Sequence, residues 1–479
     1  MQTIPTHTWL KQQYISYVPG RGEPLADRVA ASLLEHLGQA GHVIHETPSA
    51  ETQVILTTSD PMQALGWRDA LMFTARRRFG LDYVPTVFTI VSLDPARFDS
   101  LLGSIGQVLE GGGEIPAPFA GLPATALEPL RQQGRRGGPI LYLARLLQVQ
   151  TKCIRILLVV GAEAPEFAYL FDLVGAHPQI LFDGPEHFYQ DIVTRILTAA
   201  STTEITAHQV VGDVVSRSAW ENCTAVGEML QASREFGRRD FFTHMIRVSD
   251  LAEVPGLSDA ISSQYSEGCF ATWTPDLRAL LSTITGSARP VSKENISDED
   301  LAVIVGITPE QDGAFVHHVE GHSNHPPSSE AVEMIGMDMH LPRIRLEGGE
   351  EVPVIRSKLH GHRAVHSYDP ARVEYVSLPE NYLFYPVSCS TDAQYRAVQA
   401  AFQASAALQD PDDPRRIVFT VLPGHGSVIV EKWDQRRPAF QLIWEAMDAG
   451  ALECSDDIPQ GPFRFVPEGG RRILTPGLI

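Results

Sequence analysis

The sequence predicts an α/β protein: two successive doubly wound parallel-sheet domains followed by a β-rich C-terminal domain. Three observations carry this. Short apolar, β-branched runs alternate with segments of helical periodicity over the first 290 residues, the mark of a parallel sheet covered on both faces. The alternation restarts at Ile154 after a Gly- and Pro-rich stretch. Beyond Arg289 strand-like segments predominate. A chain of 479 residues exceeds one ordinary core, so several domains are expected.

The first domain, 1–148, begins with a helix over Leu25 to Leu37, LADRVAASLLEHL, whose apolar residues recur at helical spacing. Gln53 to Thr58 reads as a buried strand, Leu71 to Phe79 as a helix and Pro85 to Leu93 as a second buried strand. Gly111–Gly113, Pro116 to Pro123 and Gly134 to Gly138 read as loop and surface. The second domain, 149–290, opens with Ile154 to Gly161, IRILLVVG, the strongest strand signal in the chain. Phe167 to Val174, Tyr189 to Ala199 and Thr224 to Phe236 read as its helices. In the third, 291–479, strands are expected at Leu301 to Ile307, Val373 to Leu378, Ile417 to Leu422 and Ser427 to Glu431. Helices are expected at Tyr395 to Leu408 and Ala439 to Met447, and the tail from Pro459 as a surface-wrapping extension. No internal repeat of fixed period is present.

Composition sets limits on function. Hydrophobic content of 43% with 20% charged residues is that of a globular chain. A formal net charge of −20 opposes association with nucleic acid or an anionic membrane through the bulk surface. The five cysteines, Cys153, Cys223, Cys269, Cys389 and Cys454, are scattered and form no CxxC pair, which predicts no disulfides and a reducing compartment. The N-terminus MQTIPTHTWLKQQYISYVPG has no basic region leading into an apolar one, and the apolar runs are too short to span a bilayer. The expected location is cytoplasmic.

Histidine is concentrated in the C-terminal part: nine of 17 lie between His317 and His425. The densest block is FVHHVEGHSNHPP, with His317, His318, Glu320, His322 and His325. A second is KLHGHRAVH, Lys358 to His366, and His425 stands alone at the mouth of an expected strand. Imidazole and carboxylate together suit divalent Mn, Fe, Co or Zn. On a strand, neighbours such as His317 and His318 point to opposite faces, so at most one enters a given pocket. No HExxH, GxSxG, GxxxxGK[ST] or strand-following GxGxxG motif occurs, which lowers the weight of nucleotide-dependent and serine-hydrolase chemistry.

Two α/β domains preceding a histidine-bearing β-rich domain resemble the L-arabinose isomerase and L-fucose isomerase superfamily. Local sequence adds to this, mainly over residues 260–430. SEGCFATWTPDLRALL, Ser266 to Leu281, is similar to that family's Glu-Gly segment running into a helix. Glu294, in SKENIS, follows Glu267 by 27 residues, and DLAVIVGI then leads to His317 and His318. The resemblance implies a divalent cation, manganese first, held by Glu267, Glu294, His318 and His425. It implies Glu267 and Glu294 as the acid–base pair of an aldose–ketose isomerase acting on a small sugar, and a homo-oligomer. Cys269 stands where the family has Asp. The residues themselves leave open another metal-dependent hydrolase or lyase, or a non-catalytic sugar-binding protein.

Overall fold

In a computed structural model of the chain, the described residues are 12–65, 70–82, 85–114, 155–171, 179–200, 207–242, 268–285, 293–379 and 390–455, less a few single positions. To these are added scattered residues between 116 and 147 and the backbone of 463–468 and 471–476. The chain divides into two compact units, residues 1–201 with 246–263, and residues 202–245 with 264–479. It is a mixed α/β protein. No helix among the described residues is long and apolar enough to cross a membrane.

The first unit runs β1 (Tyr14–Val18), α1 (Pro24–Gln39), β2 (Val43–His45), β3 (Val54–Thr58), α2 (Pro61–Ala64), α3 (Ala70–Phe79), β4 (Thr86–Leu93), α4 (Pro95–Glu110), β5 (Ile156–Val160), β6 (Phe167–Phe171), β7 (Gln179–Leu181) and α5 (Pro185–Ala200). One seven-stranded sheet holds them in the order β2-β1-β3-β4-β5-β6-β7. The first five strands are parallel and the last two antiparallel. Helix α1 forms because Leu25, Ala26, Val29, Ala30, Leu33 and Leu37 fall on one face, and all six are buried. Together with α5 it covers one side of the sheet, and α4 covers the other.

Two expectations are corrected here. The boundary expected at 148 falls inside this unit, because β5 pairs in register with β4, Thr89 opposite Ile156 through Leu93 opposite Val160. A run as apolar as ILLVV marks a central strand but says nothing of which sheet receives it. Phe167–Phe171 is a strand, not a helix: it pairs antiparallel with β5, and its aromatic rings Phe167, Tyr169 and Phe171 alternate on one face.

The second unit runs β8 (Gln209–Val210), α6 (Arg217–Glu221), α7 (Thr224–Arg238), β9 (Cys269–Thr274), β10 (Ala279–Thr283), β11 (Leu301–Ile307), β12 (Ala314–His317), α8 (Ala331–Gly336), β13 (Arg343–Arg345), β14 (Glu351–Pro353), β15 (Ile355–Gly361), β16 (Ala364–His366), β17 (Val373–Tyr375), α9 (Asp392–Gln403), α10 (Ala406–Gln409), β18 (Ile417–Leu422), β19 (Gly426–Lys432), α11 (Gln441–Asp448), β20 (Glu453–Ser455) and the hairpin β21–β22 (Phe463–Glu468, Arg471–Pro476). Nine strands form one sheet, β17-β18-β19-β15-β9-β10-β11-β12-β8. It is antiparallel except at its two outermost pairs. Helices α7 and α11 pack on one face, and α8, α9 and α10 on the other.

This β-rich character agrees with the expectation for the C-terminal part, but the boundary at 290 lies between β10 and β11, which are adjacent strands of that sheet. The segment expected to run from Glu-Gly into a helix is a hairpin instead: β9 turns at Pro275, where Arg278 N–H donates to its carbonyl at 3.2 Å, and returns as β10. Phe, Thr and Trp ahead of a Pro-Asp turn favour a strand that folds back on itself.

Candidate metal centre

Strand alternation puts a polar row into the second sheet. Leu359 of β15 belongs to the α7/α11 core, so Lys358, His360 and His362, at odd steps from it, share the opposite face, towards α8 and α9. Glu330 and Glu333 arrive from above: Glu330 is the N-cap residue of α8 and Glu333 lies three residues on, one turn of the same helix. His425 enters from the residue preceding β19.

Glu330, His360, His362 and His425 are all buried, and one ligand atom from each lies within 4.8 Å of the other three. The three imidazole centroids stand 4.9 to 5.3 Å apart. Glu330 Oε1 is 3.2 Å from His360 Nε2 and 4.0 Å from His425 Nε2. Atoms bound to one divalent ion at about 2.1 Å are at most about 4.2 Å apart, so a slight contraction makes this a four-ligand shell. These four residues can hold a metal ion. His360 also has the outer support that ligating histidines use: its Nδ1 hydrogen-bonds the Ser427 carbonyl at 3.1 Å, leaving Nε2 to face the cluster.

Glycine makes the approach of these backbones feasible. Gly426, at φ 147°, would place a Cβ 2.1 Å from the Gly361 carbonyl and 2.8 Å from His362 Cα. Gly268, at φ 101°, would place one 2.5 Å from the His360 carbonyl. Both conformations favour a residue without Cβ. With Gly268 in place, β9 lies against β15 with Cys269 opposite His360, and the Cys269 thiol donates to Glu330 Oε2 at 2.8 Å.

Burial and the mutual charges of the cluster shift the titration of Glu330, Glu333, His360 and Cys269. Burial would raise the Glu330 carboxyl, but His360, His425 and the Cys269 hydrogen bond hold it well below the usual carboxylate range. Burial would lower His360, yet the Glu330 and Glu333 carboxylates raise it to about 9. Burial, reinforced by Glu330, drives the Cys269 thiol well up. Glu333 is pushed well above the usual range by burial, against the pull of His360. It is 2% exposed, and neither oxygen makes a hydrogen bond of good geometry although the Gln394 amide lies beside it. Deeper in the row, Lys358 and Asp338 form a buried pair at 2.5 Å. Desolvation moves both towards neutrality.

Of the four ligands expected from the sequence, His425 is in this group. Glu267 lies outside the described residues. Glu294 is described and does not belong to the group: its Cβ lies against α7, 2.8 Å from where a side chain on Gly237 would begin. His318 does not belong either. It sits half-buried past the end of β12, where its carbonyl accepts from Val215 N–H at 2.8 Å. Two other members of that histidine-dense block secure α6 and a third faces the loop before it. Glu320 accepts from Arg217 N–H at 3.0 Å, His322 meets the Trp220 ring edge-to-face at 5.3 Å, and His317 faces Gly212.

The residues missed are Glu330, His360 and His362. His360 and His362 carried a readable signal, HxH on a strand, which puts two imidazoles on one face. Glu330 carried a weaker one, Glu-x-x-Glu opening a short helix after a Pro-Ser loop. The chain matches no family model, and no curated protein or solved structure is similar to it.

Proposed function

We propose that the protein is a metal-dependent enzyme whose centre is Glu330, His360, His362 and His425, with Glu333 as the proton-transfer group beside it. A bound divalent cation would supply Lewis acidity towards a substrate oxygen. The observation that carries the proposal is Glu333. A purely structural ion needs four ligands and a closed shell. A fifth buried acid with no hydrogen bond of good geometry destabilises the fold and is expected where a proton must be held or passed. Burial favours the protonated form of Glu333, which suits it to donate first and accept afterwards. Aldose–ketose isomerisation, expected from the sequence resemblance, is one reaction of this kind and the first to assay. In this reading Glu333 does the work that the resemblance implied for Glu267 and Glu294.

The experiment is elemental analysis of the purified chain beside His362→Ala and Glu333→Gln, with a screen of pentoses and hexoses for isomerisation. One divalent metal per chain is expected, lost in His362→Ala and kept in Glu333→Gln, with turnover absent from both variants. A wild-type chain that remains metal-free after incubation with Mn, Fe, Co and Zn refutes the centre. Undiminished turnover in Glu333→Gln refutes the role of that residue.

A further inference from the structure

The two oxygens of Glu330 have different neighbours. Oε1 is the one turned to the imidazoles, 3.2 Å from His360 Nε2 and 4.0 Å from His425 Nε2. Oε2 accepts from Cys269 Sγ at 2.8 Å. An unrestrained carboxylate turns easily about its last torsion and binds cations through one oxygen or through both.

We propose that Cys269 is the positioning residue of the metal centre, its thiol holding Oε2 so that Glu330 offers the single oxygen Oε1 to a divalent cation. This rests on the metal centre proposed above. Three features of the fold support it. Cys269 is paired with His360 across adjacent strands, so the thiol and one imidazole are set by the same backbone register. Gly268, whose Cβ would strike the His360 carbonyl, is the residue that permits that pairing to run up to Cys269. And Cys269 Sγ is not one of the ligand atoms that converge within 4.8 Å, although a cysteine sulfur is itself a metal ligand. The thiol is therefore placed to act on the carboxylate and not on the ion. A carboxylate can only accept, so the proton between Sγ and Oε2 is the sulfur's, and the charged acceptor makes this a stronger bond than a thiol usually forms.

The test uses the full chain, stripped with a chelator and titrated with Co(II), whose visible bands report coordination number and whose near-ultraviolet charge-transfer band reports thiolate ligation. Wild type is expected to bind one Co(II) without that charge-transfer band. Cys269→Ala removes the donor and should weaken Co(II) binding by about tenfold or more, the scale seen when an outer partner of a metal ligand is lost. It should also change the visible bands as Glu330 is freed to bind through both oxygens. Cys269→Ser keeps a donor and should return the wild-type bands and most of the affinity. X-ray absorption at the cobalt edge of the wild type needs no variant to fold, and should show nitrogen and oxygen neighbours without sulfur. A cobalt–sulfur distance, or a Cys269→Ala protein with wild-type affinity and wild-type bands, overturns the inference while leaving the centre standing. A folded wild type that binds no Co(II) removes the centre itself, and the inference with it.

Discussion

Glu431 should make the second unit less stable as pH rises from about 4.5 to about 7. It lies on β19 and is 2% exposed. Its Oε1 accepts from Ser357 Oγ at 2.7 Å and from the Phe440 N–H, while Oε2 is buried and, among the described residues, makes no hydrogen bond of good geometry, although the Ile443 N–H lies nearby. Burial lifts this carboxyl from the usual 4.5 to about 7, against the pull of Ser357, Phe440 and Arg356. The folded state thus keeps a proton that the unfolded chain gives up. The stabilisation is fully present below the unfolded value, declines as pH rises, and is gone above about 7. At about 1.4 kcal/mol per pH unit the whole interval is worth roughly 3 kcal/mol. Glu431→Gln mimics the protonated carboxyl and removes the titration. Urea unfolding of both proteins at pH 4.5, 6 and 8, read as midpoint at constant slope, isolates this group from every other titration. The variant should gain on wild type by roughly 3 kcal/mol between the lowest and highest pH. Curves that stay parallel across that range refute the reasoning.

Other outcomes follow from the same geometry. Because Glu330 holds His360 protonated to about pH 9, loading the centre must expel that proton. Metal affinity should then rise about tenfold per pH unit up to that value, and titration in two buffers of different ionisation heat should show proton release. Glu333→Gln should raise the melting temperature of the metal-free protein at neutral pH, since burial favours the protonated carboxyl while the unfolded chain gives its proton up, and the amide does not titrate; a lower melting temperature would mean that burial does not disfavour the carboxylate. Gly426→Ala should cost about 1–3 kcal/mol in strain alone and abolish metal uptake, because the new methyl falls on the Gly361 carbonyl. Equal metal content in Gly426→Ala and wild type would disprove that link.

Local periodicity was legible in the sequence to the extent that it depends on neighbours along the chain. Helix α1, strands β3 to β5, β11, β18 and β19, and helix α11 stand close to where their apolar spacing puts them. Pairing was not legible. Nothing local to Ile156–Val160 tells that it extends the sheet begun by β1, and nothing local to Phe167–Phe171 separates an amphipathic helix from a strand hydrogen-bonded at the sheet's antiparallel edge. The same limit governs the site. His425 stood out alone at a strand mouth, and the resemblance implied it as a ligand. The resemblance took His318 from the histidine-dense block at 315–327, which contributes none of the four clustered residues. The informative pattern was sparser: two histidines one residue apart on β15, whose alternation aims both at the same helix face.

The pairing of β15 with β19 sets Leu359 opposite Ile429, His360 opposite Val428 and Gly361 opposite Ser427, with an irregularity near Ile355. A slip of one residue would turn Lys358 and His360 into the aromatic side of the sheet, beside Phe270 and Phe440, and turn Leu359 towards Glu330. A chain folded in that register could not assemble the four ligands. With the proposed metal centre in place, metal content would serve as a tally of correctly registered molecules, and a fractional stoichiometry in a monodisperse preparation would count the misaligned remainder.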